Sequence, residues 1–294
     1  MLATLLLLSS AALSQRGGTD TTFAVPEGTR LTLASASGEI AIRTWDRNQV
    51  RVRAEHTSRV SVGIDLSGSV LRLTPRATRG VMAMGRVVDY DLTVPAAMAI
   101  EIGGMFADVT IEGSRGNVKV STIEGNLVVR GGDGTMSLTT INGTIHVQGA
   151  RGRLELRSTS DDVDVRDSQG DILVEAVSGD IRMRGMDARR VDAQTVSGNV
   201  SYEGSVRNDG AYTLVTHSGD VTFAVPEGAN ASIRAAVGSG DIRASFQVPA
   251  AERVSRRRMV YRLGSGGATV ELETFSGDVR LVRPSEIRTR EQED

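Results

Sequence analysis

At 294 residues the chain is long enough for one large domain or two small ones. A formal net charge of −2 and an aromatic content of 3% exclude a global field for nucleic acid or anionic lipid and argue against a base-stacking surface. There is no cysteine, which removes disulfides, thiol-linked lipid anchors and thiolate metal sites, while 33 glycines against 6 prolines suit many tight turns between short strands.

Met1–Ser14 is an apolar run ending in small residues, with Ala12-Leu13-Ser14 before Gln15 as a cleavage site. It is shorter than the roughly 20 apolar residues of a spanning helix and reads as a signal peptide, although no basic residue stands near its start. No second apolar segment approaches membrane length. The mature chain is therefore expected to be extracytoplasmic, periplasmic or secreted to the cell surface, with no transmembrane segment.

Residues 15–95 read as a β-rich lead-in. Leu31-Thr32-Leu33, Ile40-Ala41-Ile42, Val50-Arg51-Val52, Val60-Ser61-Val62 and Leu71-Arg72-Leu73 alternate apolar and polar between turn residues, the mark of strands. Trp45, the single tryptophan, is expected to anchor a strand end from below. Thr22-Phe23-Ala24-Val25-Pro26-Glu27-Gly28 recurs as residues 222–228, with Val94-Pro95 as a weaker copy. Proline has no ladder N–H, so each Val-Pro marks a strand end leading into the next strand. The lead-in is expected to share the structure of the repeats that follow.

Those repeats fill 96–283. Gly116, Gly125, Gly134, Gly143, Gly152, Asp161, Gly170 and Gly179 stand nine apart, and the series resumes at 189 and 198, then at 210 and 219. Each unit, such as Ser178-Gly179-Asp180-Ile181-Arg182-Met183, places two apolar residues on one strand face: Val118 and Val120, Leu127 and Val129, Met136 and Leu138, Ile145 and Val147, on to Val221 and Phe223. Alternate units differ, one set running into Thr or Ser (Thr122, Thr140, Ser158, Thr195), the other into Gly or Asp (Gly131, Gly149, Asp167, Gly185). The fold expected is all-β, a parallel β-solenoid of about 18-residue coils, each with two strands and two turns. Residues 246–267 interrupt the period as an irregular segment, and 284–294 form a charged tail.

Asp171, Asp180, Asp220, Asp241 and Asp278, with Asn117, Asn126 and Asn199 in the same place, read as turn formers bonding nearby backbone N–H groups. A calcium roll would need its acid two residues before the apolar position and a double glycine, whereas here the acid directly precedes the apolar residue and the double glycine is missing from nearly every unit. The chain contains no nucleophile elbow, phosphate loop or zinc-protease helix. His56, His146 and His217 lack ligand spacing, and His217-Ser218 would point to opposite strand faces. Asp161, Asp162, Asp164, Asp167 and Asp171 form the richest acid group, and Arg256-Arg257-Arg258 is a possible binding element for an anionic polymer or lipid headgroup. The outward row of one sheet is expected to run Val128, His146, Asp164, Arg182, Ser201, Thr222, Arg243.

The Ser-Gly-Asp-Val/Ile units, the Val-Pro lead-ins and the one Trp after the first unit resemble a bacterial putative-adhesin family of exported β-strand-repeat proteins, labelled a domain of unknown function. The resemblance covers about residues 23–283. It implies an extracytoplasmic solenoid with adhesion as the family role, and it supplies no catalytic residues, cofactor or metal. The function expected is a non-enzymatic adhesin or envelope scaffold whose partner is a surface polysaccharide or protein. The alternative is a carbohydrate-active β-helix enzyme using the Asp161–Asp171 acids, against which short coils and scarce aromatics count.

Overall fold

The computed structural model describes residues 16–77, 85–248 and 250–290. The expected leader, Met1–Ser14, and residues 291–294 of the tail lie outside the described residues. Among those described, 24 strands join one continuous mixed sheet, and the one helix, Pro284–Arg290, comes last.

The middle of the molecule follows directly from the nine-residue pattern. Val118 and Val120 of the strand Val118–Glu124 point inward, and so do Leu127 and Val129 of Leu127–Arg130 after the turn. Met136 then lies beside Val118, Leu154 beside Met136 and Ile172 beside Leu154, all in parallel pairs. In the facing set Ile145 lies beside Leu127, Val163 beside Ile145 and Ile181 beside Val163. The two sets close over one apolar core. A buried Val, Leu or Ile contributes about 1.5–3 kcal/mol, so the few inward side chains of one turn cannot offset the ordering of its backbone without neighbours above and below.

Where the sequence has one extra residue, the ladder bulges between Gly170 and Asp171, and Asp171 pairs with Arg190. At one corner the inward position is a hydroxyl. Thr140, Thr195, Thr216 and Thr274 are buried and donate to the carbonyls of Gly125, Gly179, Gly198 and Gly219 at 2.8–3.3 Å. Buried carbonyls at a turn need such partners, which explains the alternation of Thr with aliphatic residues.

The stack departs from chain order at its ends. Ala268–Ser276 lies between Ala211–Ser218 and Ala231–Ser239, and Val279–Val282 lies between Val221–Ala224 and Ile242–Ala244. The last repeat in sequence thus fills an inner slot, and in the outward row Arg280, not Arg243, follows Thr222. The antiparallel hairpin of Ala250–Ser255 and Arg258–Leu263 then covers the edge of one sheet. At the other end Arg30–Trp45 pairs in parallel with Ala99–Glu112 along most of its length, as a repeat would. Val60–Ser67 with Val70–Ala77, and Arg16–Ala24 with Gln49–Thr57, are antiparallel instead. The expectation of a uniform lead-in therefore holds for 30–45, which has 70–73 and 90–95 in parallel beside it, and fails for these antiparallel pairs, which close the open edges of a parallel stack.

Trp45 also departs from expectation. It is half-buried at the Trp45–Gln49 turn, its indole N–H donating to the Gln49 carbonyl at 2.7 Å, with the Arg47 guanidinium 5.4 Å above the ring. Pro284 ends the last strand and starts the helix, where Glu286 accepts from the Arg283 N–H at 3.0 Å.

Among the described residues two buried side-chain atoms, Arg86 Nε and the Tyr90 hydroxyl, lack a hydrogen-bond partner. Tyr90 is 2% exposed and its hydroxyl finds no hydrogen-bond partner among the described residues. An unpaired buried hydroxyl costs about 1–3 kcal/mol, so Tyr90→Phe is expected to melt above the wild type. A lower melting temperature by circular dichroism would contradict the unpaired environment.

Candidate binding surfaces

The turn acids and amides are bonded across coils rather than within their own turns. Asp162 Oδ1 accepts from the Asp180 N–H at 2.8 Å, Asp180 Oδ1 from Asn199, Asn199 Oδ1 from Asp220, Asp220 Oδ1 from Asp278 and Asp278 Oδ1 from Asp241, at 2.8–3.0 Å. Asp108 and Asn126 do the same for the Asn126 and Thr144 amides. The partners stand 18 residues away in the regular coils, so these side chains set the coil register instead of closing a local turn. Among the described residues no His, Asp or Glu group is arranged to hold a metal ion.

The Asp161–Asp171 acids are dispersed among such tasks. Asp161 accepts from the Gly143 N–H at 2.7 Å. Asp162 also receives Arg182 at 2.6 Å, and the same guanidinium reaches Asp180 at 2.6 Å. Asp164 stands on the outer face of one sheet, 7% exposed because Arg166 covers it with bonds of 2.7–3.2 Å. Asp167 occupies a corner at φ 50°, where Gly149 and Gly185 stand in neighbouring coils. Asp171 belongs to Gln169–Ala176, a strand of the facing sheet. The alternative enzyme would need two carboxyls flanking one bond, whereas Asp161, Asp162 and Asp164 are each engaged by a backbone amide or an arginine.

These bonds are expected to tie the fold's stability to carboxylate ionisation. Burial alone would raise the Asp162 pKa, but hydrogen bonds from Arg182 and the Asp180 amide outweigh it and hold the carboxyl below its usual range. The Asp241 amide, with Arg280, does the same for Asp278. A depressed folded-state pKa stabilises above the unfolded value, about 3.9, and that contribution disappears as pH falls through the folded value. The melting temperature is therefore expected to drop below about pH 4, and to drop less steeply in Asp162→Asn, which keeps the amide acceptor and loses the titration. Parallel pH profiles for the two proteins would rule out this origin.

The histidines are not brought together. His56 meets Thr19 Oγ1 at 3.3 Å, His146 lies beside Asp164 in the outward row, and His217 stacks on Phe275 with centroids 4.8 Å apart. Ser218 is paired with Ser276 in the ladder next to that stack. A feature missed in the sequence lies along this corner, where Met105, Ile123, Ile141, Val177, Val196 and Phe275 are all exposed. The residue just before each turn is often apolar, and that was the available signal.

Arg256 and Arg257 form the tip of the edge hairpin, and Arg258 opens its second strand. The register adds Arg253, opposite Met259, and Arg262, opposite Ala250. Residues 250–263 thus hold five arginines against the single Glu252. All five are exposed, and none has an ion-pair partner among the described residues. Every residue of Ala250–Ser255 is exposed, because the facing sheet stops at Ile242–Ala244 and this first strand extends beyond it.

The model of the Toastrack DUF4097 family matches residues 28–282. No curated protein matches the chain. Similar solved structures include a putative cell adhesion protein from Clostridium sporogenes, 10% identical over 91% of this chain and 100% of that one, with a TM-score of 0.25. A putative lipid binding protein from Parabacteroides distasonis is 11% identical over 90% of this chain and 97% of that one, at a TM-score of 0.46. A putative adhesin from the same species is 11% identical over 91% and 98%, at 0.36. At these scores the three likenesses add nothing to what the chain itself shows. No helix among the described residues is long and apolar enough to cross a membrane.

Proposed function

The chain belongs to the Toastrack DUF4097 family, and from that premise we propose that it is an exported, non-enzymatic binding or scaffold module of the cell envelope. In this reading its stack is a parallel β-solenoid of two-strand coils, with a period of 18 residues where it is most regular. Residues 1–14 are removed on export, the hairpins of 15–95 close one end, and the module acts in the periplasm or at the cell surface.

The observation that carries this reading is how the outer charges are spent. Arg130 pairs with Glu112 at 2.9 Å, Arg157 with Glu175 at 2.7 Å, and Arg182 bridges Asp162 and Asp180. Each of these charges is balanced by a neighbour within or next to its coil, which leaves broad, ordered faces. Such faces suit contact with an extended polysaccharide or protein better than bond cleavage.

The test is retention of residues 15–294 on isolated envelopes at low and high salt. Balanced faces predict saturable binding to one fraction that persists in salt, since little of it depends on unscreened charge. No retention in any fraction would remove the reading. Sugar release by the wild type, lost in Asp162→Ala and Asp164→Ala, would replace it with the carbohydrate-active alternative.

A further inference from the structure

We propose that the arginine-rich hairpin of residues 250–263 is a docking element for an anionic phospholipid surface. The inference deepens the envelope reading and rests on it for the membrane the hairpin meets.

A chain with a net charge of −2 has no global attraction for anionic lipid. The charge is unevenly placed, however. Asp162, Asp180, Asp220 and Asp278 along the coils are answered by Arg182 and Arg280, whereas the hairpin carries five arginines, one glutamate and no ion pair among the described residues. Edge protection explains one or two charges on a terminal strand, above all Arg253, whose partner Met259 turns inward. It does not require two further arginines at the tip and two on the outer face of the second strand.

The geometry distinguishes a headgroup layer from a soluble anionic chain. Arg253 lies on the face shared with Met259 and Tyr261, Arg258 and Arg262 on the opposite face, and Arg256 and Arg257 at the turn between the strands. A polymer lying along one face would meet only part of this set. A layer of phosphates at the turn would meet Arg256, Arg257 and Arg258 together, with Arg253 along the exposed first strand. The first strand, Ala250–Ser255, is exposed along its whole length, so its outer edge is open to a planar surface, while the second strand rests on the core through Tyr261 and Leu263. Val254, 59% exposed, provides apolar surface among the arginines, and the hairpin's one aromatic, Tyr261, is buried and gives sugars no platform. Arginine forks bind phosphate oxygens in pairs, and each basic residue near an anionic membrane contributes about 1 kcal/mol.

Flotation of the full chain with phosphatidylglycerol–phosphatidylcholine vesicles, against phosphatidylcholine alone, tests the proposal. The wild type is expected to float with the anionic vesicles only and to be released by salt. Arg256→Glu with Arg257→Glu is expected to weaken binding by at least about tenfold. Reversing Arg30 and Arg72 at the opposite end, two exposed arginines, should leave binding close to wild type. Equal losses in both pairs would mean that net charge alone is read, and unchanged binding in the tip pair would exclude the hairpin; either overturns the proposal. Competition by dextran sulfate that the tip pair resists no differently from the wild type would show a generic polyanion site elsewhere, and that too overturns it. Envelope retention without vesicle binding would leave the envelope reading standing and the lipid proposal refuted. Vesicle binding without envelope retention would do the reverse.

Discussion

Gly198→Ala is expected to melt far below the wild type, whereas Gly68→Ala stays near it. Both glycines have positive φ, 143° at Gly198 and 57° at Gly68, so both substitutions strain the backbone. The difference is in what the new methyl would meet. A Cβ at Gly198 would lie 2.1 Å from the Gly179 carbonyl oxygen and 2.6 Å from its carbon, while one at Gly68 meets nothing within 4 Å. The Gly179 carbonyl cannot retreat, because its oxygen also receives the Thr195 hydroxyl at 3.3 Å and its coil is held by the Asp180–Asn199 bond at 2.8 Å. Backbone strain of this kind costs about 1–3 kcal/mol, and a backbone clash that cannot relax adds to it, so a loss of about 3 kcal/mol or more is expected for Gly198→Ala. In a chain of this length that corresponds to a fall on the order of 10 °C. Gly68→Ala should lose about 1 kcal/mol, since the left-handed region is accessible to Ala at that cost. Equal melting temperatures would mean that the coils are not stacked as tightly as their carbonyl-to-glycine contacts require.

Side-chain direction was legible in the sequence because a strand leaves few choices. The inward pairs Val118/Val120, Leu127/Val129 and Ile145/Val147 follow from period two within a nine-residue unit, and all are buried. The insertions were legible too, since the extra residue near 189 becomes a bulge and the later one falls in the loop of 205–210. Strand order was not, and the reason is physical. A parallel repeat presents the same apolar rows on both edges, so the coil of 268–282 fits beside 211–224 as well as 231–244 does. Pattern alone cannot rank identical slots. The Val-Pro step is the one local signal of the reordering. Val25-Pro26, Val94-Pro95 and Val225-Pro226 each stand where the chain leaves its neighbour's slot empty for another strand, and not simply at a turn into the next one.

The candidate surfaces were legible in the same uneven way. Arg256–Arg258 stand out as a run, but Arg253 and Arg262 join them only through the register of an antiparallel hairpin, in a segment whose sequence breaks the repeat. The turn residues Asp162, Asp180 and Asn199 are recognisable by type, yet their partners are 18 or 19 residues on, a distance that becomes a contact only once the coil exists.

Phe223→Ala is expected to be the most damaging change in the apolar core, at about 3–5 kcal/mol. Phe223 is fully buried, parallel to the Tyr202 ring at 5.1 Å and edge-on to Tyr212 at 5.8 Å. This aromatic cluster sits where the three-residue insertion widens the coil, and larger side chains fill the space that Val and Ile fill elsewhere. It also ties down the insertion. Tyr202 donates to the Ser205 carbonyl at 2.8 Å, and Tyr212 donates to Ala188 while accepting from the Arg207 N–H, both at 2.9 Å. Removing the ring opens a cavity between the two tyrosines and frees their hydroxyls from the loop they hold. A packing role confined to Phe223 predicts lower global stability alone. The cluster predicts in addition that the Arg207 amide exchanges faster than amides of the regular coils, such as Val163, under conditions where the variant remains folded. If Arg207 keeps its protection in Phe223→Ala, the tyrosines hold the insertion without the ring, and the two roles separate.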